Sequence, residues 1–457
     1  MKRYASYQET GILWNTNIPA HWKLYRGKRM FFTEKHLNVD RAENNILSLT
    51  LNGVVRNNGD KPIGLSPADY STYQIFEKDN LVFKLIDLNN ISTSRVGLVP
   101  ERGIMSSAYI RLIPRFEVNI RYFYMQYYDL WLRNIFNGLG AGVRQTLGAK
   151  ELLELEIAVP PREEQDQIVR FLDWKVSSIN KLINIKKNMI ALLEERKKAI
   201  INSVLTGGAT GVACKESVIA DLSSIPITWD ERPLKFYASS NDESLSSKTP
   251  NGYEFAYIDI STAGFRKLKK EPVRITFKEA PSRARRIVRE GDTILSTVRT
   301  YLKAILYIDN TKDGNIVSTG FSVLRPRDGV YPPLLSYALS CDYFINAVIR
   351  NSIGVSYPAI NDKQLLSLKI ALPKAYDEQV KIHEQITMLT ESTENAISHL
   401  QDIICNLQDL KTRLISDVVT GKIDVRDIDI PDYEFTEEVP DANPEIDGED
   451  ELSEQEG

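Results

Sequence analysis

The sequence predicts an α+β protein in which one architecture occurs twice. Two strand-rich domains are joined by two long helices that pair antiparallel as a coiled coil. Two observations predict this arrangement. Short phrases recur in the same order about 210 residues apart. Each repeat also ends in a long run whose apolar residues step by three and four. We therefore predict a tandem duplication with pseudo-two-fold symmetry.

The repeated phrases are too many and too well ordered to be coincidence. Residues 105–114 read MSSAYIRLIP and residues 317–326 read VSTGFSVLRP. The other pairs are IPAHW (18–22) with IPITW (225–229), LLELEIAVP (152–160) with LLSLKIALP (365–373), and EEQDQIV (163–169) with DEQVKIH (377–383). Their separations rise only from 207 to 214 residues along the chain.

Each repeat has two parts of different composition. Residues 1–160 and 209–373 are rich in Val, Ile, Tyr, Phe and Thr in short runs, broken by Gly, Pro, Asn and Asp. This pattern is typical of strand-rich domains. Residues 161–208 and 374–423 are predicted as long helices, and in each a seam of eleven positions carries nine apolar residues. At ~1.5 Å per residue, each helix would span roughly 65 Å.

One such helix alone is typical of a spacer or a dimerisation stalk. Two copies in one chain favour a different interpretation, because each helix can bury its seam against the other. Antiparallel pairing would place the two domains at opposite ends of a rod, facing in opposite senses. A scaffold of that kind suits a two-part site on a long polymer.

Charge is segregated along the chain, whose net charge is −4. Residues 424–457 carry 15 acidic residues and one basic residue, which leaves +10 on residues 1–423. The basic body is consistent with a polyanionic partner. The acidic tail is predicted to be disordered. It could be inert, contact a basic surface of a partner, or compete with a polyanion for the basic body, and inert disorder is the favoured interpretation.

The sequence predicts a cytoplasmic protein without a membrane association. Its three cysteines (Cys214, Cys341 and Cys405) are far apart, odd in number and lack metal-binding spacing. Such cysteines favour a reducing, intracellular setting. The first residues lack the apolar core of a signal peptide. No apolar run approaches the ~20 residues that span a bilayer.

The chain carries no convincing catalytic motif. There is no Walker A sequence and no adenine-methyltransferase motif, and the glycines of 138–142 lack the rest of a dinucleotide fingerprint. The four histidines are scattered, so neither a catalytic residue nor a metal site is predicted.

Basic residues of the second repeat point to nucleic acid. Residues 266–289 hold ten basic residues and two acidic ones, although a solvated charged face would look similar. We assign phosphate contacts to Arg283, Arg285 and Arg286. We assign base contacts to Arg299, Thr300 and Tyr301, because Arg reads guanine through two hydrogen bonds.

Polar loops of the first repeat are the corresponding candidates. The predicted DNA-binding residues there are Asn57, Asn58, Lys61, Arg95, Arg144 and Gln145. The last two align with Ser356 and Tyr357 of the second repeat, which are also candidates. Asn pairs with adenine in the major groove. Because the two domains share framework phrases but not these loops, we expect two different half-sites.

Taken together, the duplicated layout and these phrases resemble the specificity subunit of type I restriction–modification systems. The resemblance covers nearly all of residues 1–423 and includes IAVPPREEQDQIVRFLD before the first long helix. The second copy departs from this phrase, since Pro373-Lys374 stands where Pro160-Pro161 does. The long acidic tail lies outside the shared pattern.

The resemblance implies a non-catalytic DNA-reading subunit of a DNA adenine methyltransferase and restriction endonuclease complex. Each domain would read one half of a bipartite sequence in double-stranded DNA, and the helices would set the spacer. Two modification subunits would carry S-adenosylmethionine, and two motor–nuclease subunits would use ATP and Mg. This chain would bind none of these cofactors.

Two rival interpretations come from other functional classes. A self-sufficient methyltransferase or nuclease would need the catalytic motif that the sequence lacks. A coiled-coil adaptor that binds only proteins would show no salt-dependent affinity for DNA.

Overall fold

The computed structural model describes residues 2–51, 53–57, 69–88, 93–140, 145–206, 213–354 and 357–439. The chain divides into two compact units. Unit 1 comprises Met1–Asn188 and Gln401–Gly457, and unit 2 comprises Met189–Leu400. The boundaries fall inside the two long helices, so each helix contributes one half to each unit.

The first repeat is a mixture of short strands and helices that ends in the first long helix. Its elements are β1 (Tyr7–Glu9), β2 (Asn17–Pro19), β3 (Lys23–Arg26), α1 (Gly27–Met30), β4 (Phe31–Phe32), β5 (Leu47–Thr50), β6 (Gly53–Arg56), β7 (Gln74–Phe76), β8 (Leu81–Phe83), β9 (Val96–Leu98), β10 (Gly103–Met105), β11 (Ile110–Pro114), α2 (Ile120–Leu132), α3 (Ile135–Leu139), α4 (Ala149–Glu154), β12 (Glu156–Val159) and α5 (Arg162–Leu205).

The second repeat follows this order with longer strands and ends in the second long helix. Its elements are β13 (Cys214–Glu216), β14 (Ser224–Pro226), β15 (Trp229–Pro233), β16 (Ala238–Ser240), β17 (Glu254–Ile258), β18 (Val273–Thr276), β19 (Ala284–Ile287), β20 (Thr293–Ser296), β21 (Ile305–Tyr307), β22 (Ile316–Ser318), β23 (Phe321–Pro326), α6 (Pro332–Leu339), α7 (Asp342–Arg350), α8 (Asp362–Ser367), β24 (Lys369–Pro373) and α9 (Tyr376–Val419).

The same antiparallel four-stranded sheet forms in both units. Its order is β4-β11-β8-β9 in unit 1 and β16-β23-β20-β21 in unit 2. The repeated phrases YIRLIP and FSVLRP form β11 and β23, and each pairs with the buried strand before a candidate loop. Unit 2 has a second sheet of order β18-β17-β22-β19, which carries much of the basic segment.

The long helices pair antiparallel, as the sequence predicts. In unit 1 the first half of α5 shares a core with the end of α9, which includes Ile183 and Leu414. In unit 2 the end of α5 shares a core with the start of α9, which includes Ile201 and Ile386. Lys411 Nζ lies 3.2 Å from Asn180 Oδ1 in unit 1, and Lys197 pairs with Glu394 in unit 2. From the first contact to the second, the position advances by the same number of residues on α5 (from 180 to 197) as it recedes on α9 (from 411 to 394). The antiparallel pairing therefore has the same register in each unit.

Both long helices begin with the same glutamine contacts. Gln165 Nε2 donates to the carbonyl of Pro160 at 2.9 Å, and Gln379 Nε2 donates to the carbonyl of Pro373 at 3.1 Å. In each case the amide oxygen also accepts a backbone N–H from the preceding domain, from Asn119 or Tyr331. The helix start therefore survives the change from Pro-Pro to Pro-Lys in the second repeat.

The beginning of the acidic tail is packed against unit 1, which corrects the expectation of inert disorder for residues 424–439. Val425 is fully buried, and Ile428 and Ile430 pack against the main core of unit 1. The backbone N–H of Asp424 donates to the carbonyl of Lys2 at 2.9 Å. The prediction rested on the high charge of this stretch, but its few apolar residues bury enough surface to hold it against the core. Residues 440–457 of the predicted tail lie outside the described residues.

Candidate nucleic-acid interface

In unit 2 the candidate base-reading loop directly follows the buried strand β20. The hydrogen bonds of β20 to β21 and β23 fix where the strand ends. Arg299 then adopts a left-handed backbone conformation with a φ of 53°, which turns the chain into the short helix of Thr300–Leu302. This turn leaves Val298 and Tyr301 exposed at the surface.

A second loop, between α7 and α8, lies beside the first. The backbone N–H of Ile360 donates to the carbonyl of Thr297 at 2.9 Å, and Thr300 Oγ1 donates to Ser352 Oγ at 2.8 Å. The Arg299 guanidinium carbon lies 4.5 Å from the ring centroid of Tyr357, within the range of a cation–π contact. The structure thus brings together two candidates that are 58 positions apart in the sequence.

Exposed apolar side chains surround this cation. Ile353 has 74% of its surface exposed, and Tyr301 and Tyr357 have 45% and 47%. Sequence reasoning did not single out Ile353, because an isolated isoleucine after a helix resembles a core residue. Apolar groups beside an arginine can contact a thymine methyl group while the guanidinium contacts a neighbouring base.

Of the two remaining candidates of these loops, the structure describes Thr300. Thr300 is buried and holds the two loops together, so its hydroxyl is not presented to a ligand. Ser356 lies outside the described residues.

The basic segment of unit 2 is partly neutralised by the protein itself. Arg286 is bonded to the carbonyl of Phe321 and lies 3.5 Å from Asp362, and burial lowers its pKa. Arg289 pairs with Glu243, and Lys267 pairs with Glu194. These residues act within unit 2, so they are poor candidates for phosphate contacts.

Most of the remaining basic residues of the segment are exposed, whereas Arg285 is half-buried. Arg285 is held with its guanidinium carbon 4.8 Å from the ring centroid of Phe277, at an irregularity in the pairing of β19 with β22. Arg274 lies on β18, next to Ile275, which packs against a small core of unit 2. Since neighbouring strand residues point to opposite faces, Arg274 points away from that core. Besides Lys267 and Arg289, the exposed basic residues of the segment are Lys269, Lys270, Arg274, Lys278 and Arg283.

Unit 1 has the same loop scaffold after its buried strand β8. The backbone N–H of Leu147 donates to the carbonyl of Leu85 at 2.9 Å, which is the counterpart of the bond between Ile360 and Thr297. The side chains differ, because the exposed Asp87, with a φ of 51°, occupies the position equivalent to Arg299. Gln145, with a φ of 45°, contributes its carbonyl to the N–H of Leu88 at 3.3 Å.

Arg95 supports this loop from inside. It is 2% exposed, and its Nη2 donates to the carbonyl of Asp87 at 2.7 Å. Burial lowers the pKa of Arg95 and also that of the neighbouring Lys84, whose charge Arg95 further disfavours. The sequence predicted a DNA contact for Arg95, but its burial gives it a positioning role instead.

Among the other candidates of unit 1, the structure describes Asn57. Asn57 donates from Nδ2 to Ser48 Oγ at 3.0 Å and sits at the end of the β5–β6 hairpin. Asn58, Lys61 and Arg144 lie outside the described residues.

Within the described ranges, no cluster of His, Cys, Asp and Glu side chains could hold a metal ion. Among the helices that the structure describes, none has the length and apolar character needed to cross a membrane.

A family model for the type I restriction modification DNA specificity domain matches this chain twice, over residues 27–203 and 229–401. The chain therefore belongs to this family, the specificity subunits of type I restriction–modification systems. The two matches correspond to the two repeats, each with much of its long helix.

Named relatives agree with this assignment. The chain is 24% identical over 367 residues to the type I restriction enzyme MjaVIII specificity subunit of Methanocaldococcus jannaschii, covering 78% of this chain and 82% of that protein. It is 29% identical over 122 residues to the HindI specificity subunit of Haemophilus influenzae, covering 26% of each. A solved structure from work on the structural basis of complex assembly and conformational transition of the type I R-M system also matches this chain. The TM-score is 0.50 and the sequence identity is 15%. That match covers 89% of this chain and 99% of the other, and it supports the fold.

Proposed function

We propose that this chain is the DNA-reading subunit of a type I restriction–modification complex and that each unit reads one half of a bipartite sequence in double-stranded DNA. One observation carries the proposal beyond family membership. The same pair of bonded loops follows the buried strand in both units, but Arg299 stands where Asp87 does. Equivalent loops with unlike side chains favour two different half-sites.

We assign separate roles to the two kinds of surface in unit 2. Arg299, Tyr301, Ile353 and Tyr357 read bases, because they are grouped on an exposed loop pair. The exposed basic residues of 269–285 contact phosphates, which supplies affinity without sequence information. In unit 1 we retain Asn57, Asn58, Lys61, Arg144 and Gln145 as candidates.

We further propose that the chain itself catalyses nothing and acts in the cytoplasm. Two modification subunits would bring S-adenosylmethionine, and two motor–nuclease subunits would bring ATP and Mg²⁺. The paired helices would set the spacer between the half-sites. The name of the MjaVIII relative, a specificity subunit of a restriction enzyme, supports this division of labour.

Methylation mapping tests the proposal directly. The chain is co-expressed with its methyltransferase partner, and the host DNA is sequenced for methylated adenines. A split, asymmetric motif with a fixed spacer is expected. A short continuous motif would limit DNA reading to one unit. Absence of methylation with an assembled, active partner would favour the protein-only adaptor. Methyl transfer to DNA by this chain alone would overturn the non-catalytic role.

A further inference from the structure

The first long helix carries a row of polar side chains that form hydrogen bonds to the packed part of the tail. We call residues 430–439 the strap. The row consists of Ser177, Asn180, Asn184 and Lys187, whose spacing of three and four residues places them on one face of α5. Ser177 is 2% exposed and Asn180 is 6% exposed, because the strap covers them.

The row binds the strap through main-chain atoms. Ser177 Oγ donates to the carbonyl of Glu434 at 3.1 Å and accepts the N–H of Thr436 at 2.8 Å. Asn180 Nδ2 donates to the carbonyl of Thr436 at 3.1 Å. These contacts satisfy the polar backbone of an extended segment in the way that a neighbouring strand would.

The same pattern continues one turn further along α5. Asn184 Nδ2 donates to the carbonyl of Glu437 at 2.9 Å, and its Oδ1 accepts the N–H of Val439 at 2.9 Å. Lys187 Nζ donates to the carbonyl of Val439 at 2.8 Å. The asparagine thus uses both ends of its amide on a single stretch of backbone.

One strap side chain joins the two long helices. The Glu438 carboxylate lies 3.3 Å from Lys187 Nζ on α5 and accepts from Gln408 Nε2 of α9 at 3.1 Å. Lys411 of α9 also donates to it. Burial opposes ionisation of Glu438, but the hydrogen bond and charge of Lys411 outweigh burial and hold the pKa of this carboxyl below its usual range.

The aligned positions of the second repeat lack this chemistry. They are Glu391, Glu394, Ser398 and Gln401, so carboxylates replace Ser177 and Asn180. Glu394 is paired with Lys197 of α5 instead. Because the helix pair forms in unit 2 without the polar row, helix pairing alone does not require that row.

We propose that Ser177, Asn180, Asn184, Lys187 and Lys411 form a peptide-binding site for an extended acidic segment, and that the chain fills this site with its own strap. The site recognises main-chain groups along the row and one carboxylate at its end. When occupied, it clasps the first half of α5 to the end of α9 in unit 1.

The first experiment cuts the strap from the folded chain. A specific protease site is inserted between Asp429 and Ile430 of the full chain, and the purified protein is cleaved and passed over a size-exclusion column. We expect the released fragment to remain bound to the body. In an E438Q variant it should dissociate at least ten times faster, whereas the matched E437Q variant should behave like the parent. Glu437 is the exposed neighbour, so both substitutions remove the same charge.

Two outcomes would overturn the proposal. Immediate loss of the fragment from the parent protein would show that there is no peptide-binding site. Equal effects of E438Q and E437Q would show that the fragment is held by net charge alone.

A second experiment leaves the chain uncut. Tyr433 and Phe435 are 40% and 52% exposed, so chymotrypsin can cleave after them when the strap detaches. We expect E438Q to increase the cleavage rate several-fold over the parent and over E437Q. Equal cleavage rates for all three proteins would contradict the proposal that Glu438 holds the strap in its site.

Discussion

The indole of Trp22 donates a 2.9 Å hydrogen bond from Nε1 to Glu164 Oε1, which ties the start of the chain to the first turn of α5. Trp229 and Glu378 make the counterpart bond at 3.2 Å in unit 2. The phrases IPAHW and EEQ therefore meet in space, and so do IPITW and DEQ. Each repeat uses this contact to lock its domain onto its own long helix.

Replacement of Glu164 by alanine should destabilise unit 1. The Glu164 side chain is 5% exposed, and it also accepts the Tyr4 hydroxyl at 2.7 Å. Its removal leaves the buried Trp22 and Tyr4 donors unpaired, which costs about 2–4 kcal/mol in the free energy of unfolding. E378A should cost less, because Glu378 is more exposed and its other donor is the surface hydroxyl of Thr228. Urea unfolding of the two variants measures the difference, and equal losses would contradict the prediction.

The duplicated architecture could be read from the sequence because its signals are local. Apolar residues in helical steps predicted α5 and α9, and the matching phrases predicted equivalent strands. The start of α9 was harder to read, since Pro373-Lys374 replaces the double proline. Gln379 rather than proline makes the decisive bonds there, and a side chain that bonds back to its own helix start leaves no periodic signal.

The site could be predicted only in part, because burial of a charged side chain is decided by tertiary contacts. Arg95 and Arg299 are both arginines near the end of a polar stretch, yet one is 2% exposed beneath a loop and the other stacks on Tyr357 near the surface. The packed strap was missed for a related reason. Its contacts are to main-chain atoms, which carry no sequence pattern, while its acidic composition is typical of disorder.

Substitution R299A should relax sequence specificity at one base pair of one half-site. A two-pronged contact to a base contributes about 1–3 kcal/mol of discrimination, so the preferred base should lose roughly ten-fold or more in relative affinity. The other half-site should be unchanged. Competition binding with a library of singly substituted targets measures this. Equal weakening for every sequence would assign Arg299 to phosphate.

The matched control is R274A, which removes an exposed arginine of the basic sheet. We expect it to weaken binding to all sequences alike and to reduce the slope of log affinity against log salt by about one. A change of base preference in R274A would contradict its assignment to phosphate.

Stability of unit 2 should depend on pH through Glu243. Hydrogen bonds from Arg289 and Arg325 lower the pKa of Glu243 to about 2. Because the folded-state pKa is depressed, the stabilisation is fully present above the unfolded pKa and is lost as pH falls through the folded pKa. E243Q should therefore lower stability at pH 7, and the difference from the parent should shrink steadily between pH 5 and pH 2. The exposed neighbour Asp242 provides the control, since D242N should not reproduce this profile. A difference that stays constant with pH would contradict the prediction.

Lengthening both long helices by one heptad should lengthen the DNA spacer. The contacts of Lys411 with Asn180 and of Lys197 with Glu394 define a register in which a break after Asn188 lies opposite a break after Asp402. Seven residues inserted at both places keep the apolar seam in phase and add about 10.5 Å to each helix. At 3.4 Å per base pair, this corresponds to roughly three additional base pairs.

Insertion into α5 alone is the control, and it should abolish binding because the apolar seams of the two helices would no longer be in register. Methylation mapping of the double insertion then decides the matter: unchanged half-sites with a longer spacer would establish the helix pair as the spacing element, and an unchanged spacer would show that the distance is set elsewhere.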